Sequence, residues 1–132
     1  MVSELTVKQA FSDILNKSEL TDLLSGGLIC KESRPTNSTN NDIVINVNFL
    51  NQDVIRTGIS NINIYSKAFS NGQPDESYLL SIQNKIVSMF EAVNYHFGGF
   101  YFEFKQSSMF RELDNSDWYY LNFQMSFQHN NK

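Results

Sequence analysis

The sequence predicts an α+β fold, with a mostly antiparallel sheet and two main helices packed on one face, in the order α(α)βββαββ. Two observations lead there. Apolar residues recur at spacings of three and four in two separate stretches, the signature of amphipathic helices. Four other stretches alternate apolar and polar residues, the signature of half-buried strands, and these cluster on either side of the second helix.

The first helix carries the stripe Val7, Ala10, Phe11, Ile14 and Leu15, with Thr6 as its expected cap. A short second helix follows, with Ser18 as cap and Leu20, Leu23 and Leu24 as its apolar side, and it stops at Gly26-Gly27. Leu28 to Cys30 reads as a short extended entry. Lys31 to Asn41 reads as a loop: Thr, Asn, Ser and Pro35 carry no apolar period, and it is expected to be mobile and without an apolar anchor. From Asp42 to Phe49, Ile43, Ile45, Val47 and Phe49 face one way and Val44, Asn46 and Asn48 the other. A break is expected at Leu50 to Arg56. The next strand is Gly58 to Ala68, with Ile62 and Ile64 opposite Asn61, Asn63 and Tyr65.

Ser70 to Pro74 is turn chemistry. The helix after it repeats Leu79, Ile82, Ile86, Met89 and Val93, and Pro74, Asp75 and Glu76 suit its start. Two strands close the sequence around the turn Asp114-Asn115-Ser116. One alternates Phe100, Phe102 and Phe104 with Tyr101, Glu103 and Lys105. The other alternates Tyr119, Leu121, Phe123, Met125 and Phe127 with Trp118, Tyr120 and Asn122. The expected core sets the second long helix against Phe102, Phe104, Leu121 and Phe123.

At 132 residues the chain reads as a single domain spanning 1–132, large enough to fold without disulfide or metal. Its net charge of −4 argues against a basic nucleic-acid footprint. The one cysteine, Cys30, offers no intrachain disulfide and reads as a small buried apolar residue. No apolar run approaches a membrane span, and the first eight residues lack a signal peptide's apolar core. The expected compartment is a cytoplasm, or a particle assembled in one.

Catalytic stock is thin. The two histidines are His96, read as structural at a helix end, and His129, close to the end of the sequence where chains fray. No His/Cys cluster has metal-ligand spacing, and no phosphate-binding loop or nucleophile elbow is present. No catalytic, cofactor or metal residue is assigned, and no enzymatic activity is expected. Glu103, Glu112, Asp114 and Asp117 read as a solvated turn rather than as an acid–base pair or cation site. Tyr101, Trp118 and Tyr120 are expected to point away from the helices, either as scattered surface aromatics or as part of a protein interface. With Arg34, Pro35 and Asn37 of the polar loop, they are the candidate interface residues. Asn and Ser each occur sixteen times, which an AT-rich coding genome explains more simply than function does.

In its order of elements the sequence resembles the small head-to-tail joining proteins of long-tailed bacteriophages and prophages, called tail-terminator, tail-completion or minor tail proteins. The resemblance runs through Ser18–Ile29, Asn41–Asn48 and Gly58–Tyr65, and then the helix and terminal hairpin. It implies an α+β subunit without enzymatic role or cofactor that assembles into a ring, commonly a hexamer, at the head-proximal end of the tail tube. Its partners would be itself, tail-tube and head-connector proteins, with no specific nucleic-acid or membrane binding. Its place would be the virion tail, and the host cytoplasm during assembly. A negative, amide-rich subunit suits a lumen that must not grip DNA phosphates. The alternative is a small α+β binding module whose sheet face takes a ligand or a protein.

Overall fold

A computed structural model describes residues 2–52, 55–113 and 117–130. The fold class is as the sequence predicts: helices packed against one mostly antiparallel sheet. The elements are α1 (Glu4–Leu15), α2 (Ser18–Thr21, extended by a 3₁₀ turn at Asp22–Leu24), β1 (Ile29–Cys30), β2 (Ile43–Gln52) and β3 (Ile55–Lys67). After them come α3 (Glu76–Ala92), β4 (His96–Phe97), β5 (Phe100–Arg111) and β6 (Trp118–Asn130). The six strands lie in the order β1-β2-β3-β6-β5-β4, and only the β1–β2 pair is parallel. The last strand is therefore central.

The helix boundaries follow local chemistry. Ser3, not Thr6, caps α1. The Ser3 hydroxyl accepts from the Thr6 N–H, and the Thr6 hydroxyl accepts from the Ser3 N–H, a reciprocal capping box one turn earlier than expected. At α2 the capping position is Lys17, which makes no side-chain cap bond, so Ser18 lies inside the helix. Asp75 caps α3, its carboxylate accepting from the Tyr78 N–H at 3.1 Å. The chain leaves the 3₁₀ turn through Ser25 and Gly26, both at positive φ. Gly27 then passes so close to the Asn41 carbonyl that a Cβ would sit 2.0 Å from its oxygen.

The core lies between the helices and the even-numbered side of β3. Phe11 of α1, Phe90 of α3 and Phe102 of β5 meet in tilted and edge-on geometry, with centroids 4.8–5.8 Å apart. Leu79, Ile82, Ile86 and Met89 of α3 are buried there with Ile43, Ile45, Ile62, Ile64, Phe123 and Met125. Three expected core members depart. Leu121 packs against the core but is only partly buried. Val93 caps the C-terminus of α3 and is only partly buried. Phe104 is 41% exposed, because β5 runs past the cover of the helices.

The strands are also longer than the alternation predicts. β2 continues through Leu50 by way of a bulge between Phe49 and Asn51, and β3 begins at Ile55 rather than Gly58. Gly58 lies inside β3, where the Phe127 ring occupies the place of a Cβ, 2.5 Å from it. His129 is held in β6, paired with Arg56 and Phe100, rather than frayed. His96 belongs to β4, with Nδ1 2.7 Å from the Asn94 carbonyl oxygen. The turn Asp114-Asn115-Ser116 lies outside the described residues.

Candidate assembly surface

Side chains alternate across a strand, so burial of Ile62 and Ile64 sends Asn61, Asn63 and Tyr65 to the opposite face of the sheet. The register then fixes what stands beside them. Tyr65 faces Tyr120, and Tyr120 faces Phe110. Their rings form a row, with centroids 5.3 and 5.5 Å apart. Next along the strands is a band of amides. Gln106 donates to Gln124, Gln124 to Asn61, and Asn122 to both Asn61 and Asn63, at 2.7–3.1 Å. This band is uncharged and ties β5, β6 and β3 together through side chains.

The loop expected to be unanchored is fastened to this face. The Arg34 guanidinium lies over the rings of both Trp118 and Tyr65, 4.1 and 4.6 Å from their centroids. Its Nε donates to Asp42 at 3.2 Å, and one terminal nitrogen, Nη2, donates to the carbonyls of Ser38 and Asn40. Asp42 is 1% exposed and also accepts from the Leu28 N–H and the Ser38 hydroxyl, so a buried carboxylate is fully engaged. Glu112 approaches the same guanidinium at 3.8 Å. Burial, then the nearby Glu112 and Tyr120, push the Tyr65 phenol above its ordinary value against the opposing pull of Arg34. Burial, then the Asp42 charge, likewise raise the Cys30 thiol, again opposed by Arg34. A thiol held protonated is a poor nucleophile.

The six candidate residues thus divide. Arg34, Trp118, Tyr120 and Tyr65, the last missed at the sequence level, converge on one cluster. Trp118 points away from the helices as expected, but at 5% exposure it is a surface for its own loop rather than for a partner. Tyr101 stands apart and exposed, against the His96 ring at 4.7 Å. Pro35 and Asn37 form the exposed turn of the loop, closed by the Ser38 N–H on the Pro35 carbonyl, with Asn37 at φ 57°. Of the acidic residues, Glu103 pairs with Lys105 and Glu112 with Arg34, while Asp114 lies outside the described residues. Among the described residues no His, Cys, Asp and Glu group has the arrangement of a metal site.

The surface that sequence reasoning missed is the far half of β5. A bulge between Phe104 and Gln106 resets the register, so Ser107 and Met109, opposite Phe123 and Leu121, continue the helix-facing side on which Phe104 stands opposite Met125. Phe104, Met109 and Phe110 are all exposed, and Leu80 of α3 stands exposed across an apolar groove of about 250 Å³ from Met109. β4 covers Phe100 and Tyr101 and the Tyr95 carbonyl accepts from the Phe102 N–H, so among the described residues no strand pairs with the outer edge of β5 beyond Phe102. The interruption of alternation by Lys105-Gln106-Ser107-Ser108 was the available signal. No protein-family model matches this chain, and no curated protein sequence matches it.

Proposed function

We propose that this chain is a structural tail protein of a phage or prophage, forming a ring at the head-proximal end of the tail tube and joining tail to head. The resemblance in element order suggests the class. The observation that supports an assembling subunit is the far half of β5, where exposed apolar side chains flank an open edge on both sides. Natural sheets protect such edges unless another chain covers them. In this reading the subunit has no enzymatic role, and its partners are its own copies, the tail tube and the head connector. It resides in the virion tail after assembly in the host cytoplasm.

The uncharged amide band fits a subunit beside passing DNA, because it offers hydrogen bonds without fixed positive charge to hold phosphates. The test is assembly. Purified protein is mixed with tail tubes built from the adjacent tube gene and viewed by electron microscopy. The expected result is a ring of density at one tube end and tubes of fixed length. Tubes that neither bind the protein nor stop growing in its presence would refute the proposal.

A further inference from the structure

Of the sixteen asparagines in the sequence, only Asn71 precedes a glycine. The pair Asn71-Gly72 lies in the turn between β3 and α3, with Asn71 exposed. Backbone bonds close this turn. The Gly72 N–H donates to the Phe69 carbonyl at 2.8 Å, and the Phe69 N–H donates to the Gln73 carbonyl at 2.9 Å. The Asn71 side chain folds back along the chain, its Oδ1 accepting from the Gln73 N–H at 3.0 Å. Gly72 stands at φ 83°, a conformation that favours glycine, and its carbonyl accepts from the Tyr119 hydroxyl at 3.0 Å. Other asparagines are placed differently. Asn46, Asn48, Asn61, Asn63 and Asn122 lie inside strands, and the residue after each is Val, Phe or Ile. There the sheet ladder fixes the peptide, and a branched or aromatic side chain crowds the nitrogen that follows.

We propose that Asn71 is a site of spontaneous modification, deamidating through a cyclic imide formed with Gly72. The Gly72 backbone nitrogen attacks the Asn71 side-chain carbonyl carbon. A bond forms between that nitrogen and Cγ, and the Cγ–Nδ2 bond breaks. The proton of the Gly72 nitrogen, relayed by water, leaves with Nδ2 as ammonia. Water then opens the five-membered imide: attack at Cγ leaves aspartate, and attack at the main-chain carbonyl leaves isoaspartate. Two features favour this position. Glycine has no Cβ to hinder the approach of its nitrogen. The Gln73 N–H already donates to Oδ1, the atom on which negative charge develops as the tetrahedral centre forms. One contact opposes the reaction. The Gly72 N–H must leave the Phe69 carbonyl, so attack proceeds from openings of this surface turn. The chemistry needs no second copy and goes beyond the ring reading. It adds a negative charge to the turn. Isoaspartate also routes the main chain through the side-chain carbon, which displaces the Gly72 carbonyl from the Tyr119 hydroxyl at the start of β6.

The test ages the purified, folded chain in mildly alkaline buffer for several weeks and follows it by ion-exchange chromatography and peptide mass mapping. The expected result is a growing acidic form that carries aspartate and isoaspartate at position 71, at least about tenfold ahead of any other asparagine. Asn71→Gln, at an exposed position, keeps the amide but would have to close a six-membered ring. It should abolish the acidic form while leaving the circular dichroism spectrum intact. Hydrogen exchange on the aged protein should show faster exchange at the Phe69, Gly72 and Gln73 amides, with the middle of α3 unchanged. An Asn71 amide that survives the incubation overturns the inference. So does an acidic form that maps to another asparagine, such as Asn37, or that persists in the Asn71→Gln variant. Modification confined to aggregated or unfolded material overturns it as well, since the folded turn would then protect the site.

Discussion

Phe102 and Phe104 sit two positions apart in the same alternating run, and a pattern-based reading makes them equivalent. The structure makes them unequal. Phe102 is fully buried and touches Phe11 and Phe90, so Phe102→Ala removes a ring from a packed interior and leaves a cavity, at a cost of about 3–5 kcal/mol. Phe104 packs on the Phe123 ring, centroids 4.8 Å apart, but is 41% exposed, so water can fill its place. With roughly three-fifths of the side chain's burial to lose and no cavity, Phe104→Ala costs about 1–2 kcal/mol. Unfolding entropy of about 2.1 cal/mol/K per residue converts these into melting-point drops of roughly 11–18 °C and roughly 4–7 °C. Calorimetry on dilute protein, where copies do not associate, measures both. Equal drops would show that β5 is covered along its length and that Phe104 is packed as Phe102 is.

Arg34→Ala should cost about 3–5 kcal/mol by stranding the buried Asp42, and it should shift the emission of Trp118, the only tryptophan, to the red as the ring is wetted; an unchanged emission maximum would contradict the stacking. Hydrogen exchange should show the Leu28 and Lys67 amides protected, since Asp42 and Asn41 side chains accept from them, while the amides of Thr36 and Asn37 exchange fast; uniform fast exchange would return the loop to a free excursion. Stability should fall as pH rises above about 10. The raised Tyr65 phenol means that the unfolded chain ionises first. Lys8, whose bonds to Glu32 and Glu4 outweigh the lowering effect of burial, loses its stabilising charge as pH passes its raised folded value. Tyr65→Phe should therefore lessen the decline in melting point between about pH 9 and pH 11, and an identical decline in the variant would remove Tyr65 from the account.

Local regularities were legible in the sequence and contacts between distant segments were not. The stripe of α3 and the alternation of β2, β3 and β6 are written in neighbouring residues, and the structure follows them. The bulge at Lys105 breaks a period of two without breaking the strand, so counting alternate positions from Phe100 fails beyond it, while Phe104 keeps the predicted face and is exposed because the helices end before it. Arg34 shows the same limit in another form. Nothing near it in sequence is aromatic, and its two stacking partners come together only when β3 pairs with β6. A loop without an apolar residue can still hold an apolar surface, through the flat face of a guanidinium.

The position of β6 has a consequence for how the molecule forms. Its pairing with β3 is the longest ladder in the sheet, joining Lys67 to Trp118 and Ile55 to Asn130, and α3 lies within the loop that this pairing closes. The hairpin of β2 and β3 can form from neighbouring residues, but the outer edge of β3 stays unpaired until the final strand arrives. Loop closure of this kind costs entropy before any contact offsets it, so folding should be slow for a chain of this size and limited by the docking of β6. Until then β3 is itself an open edge, equally able to accept the β6 of another copy. Exchange of that strand between molecules is the expected misassembly at high concentration, and dilution during refolding is the expected remedy.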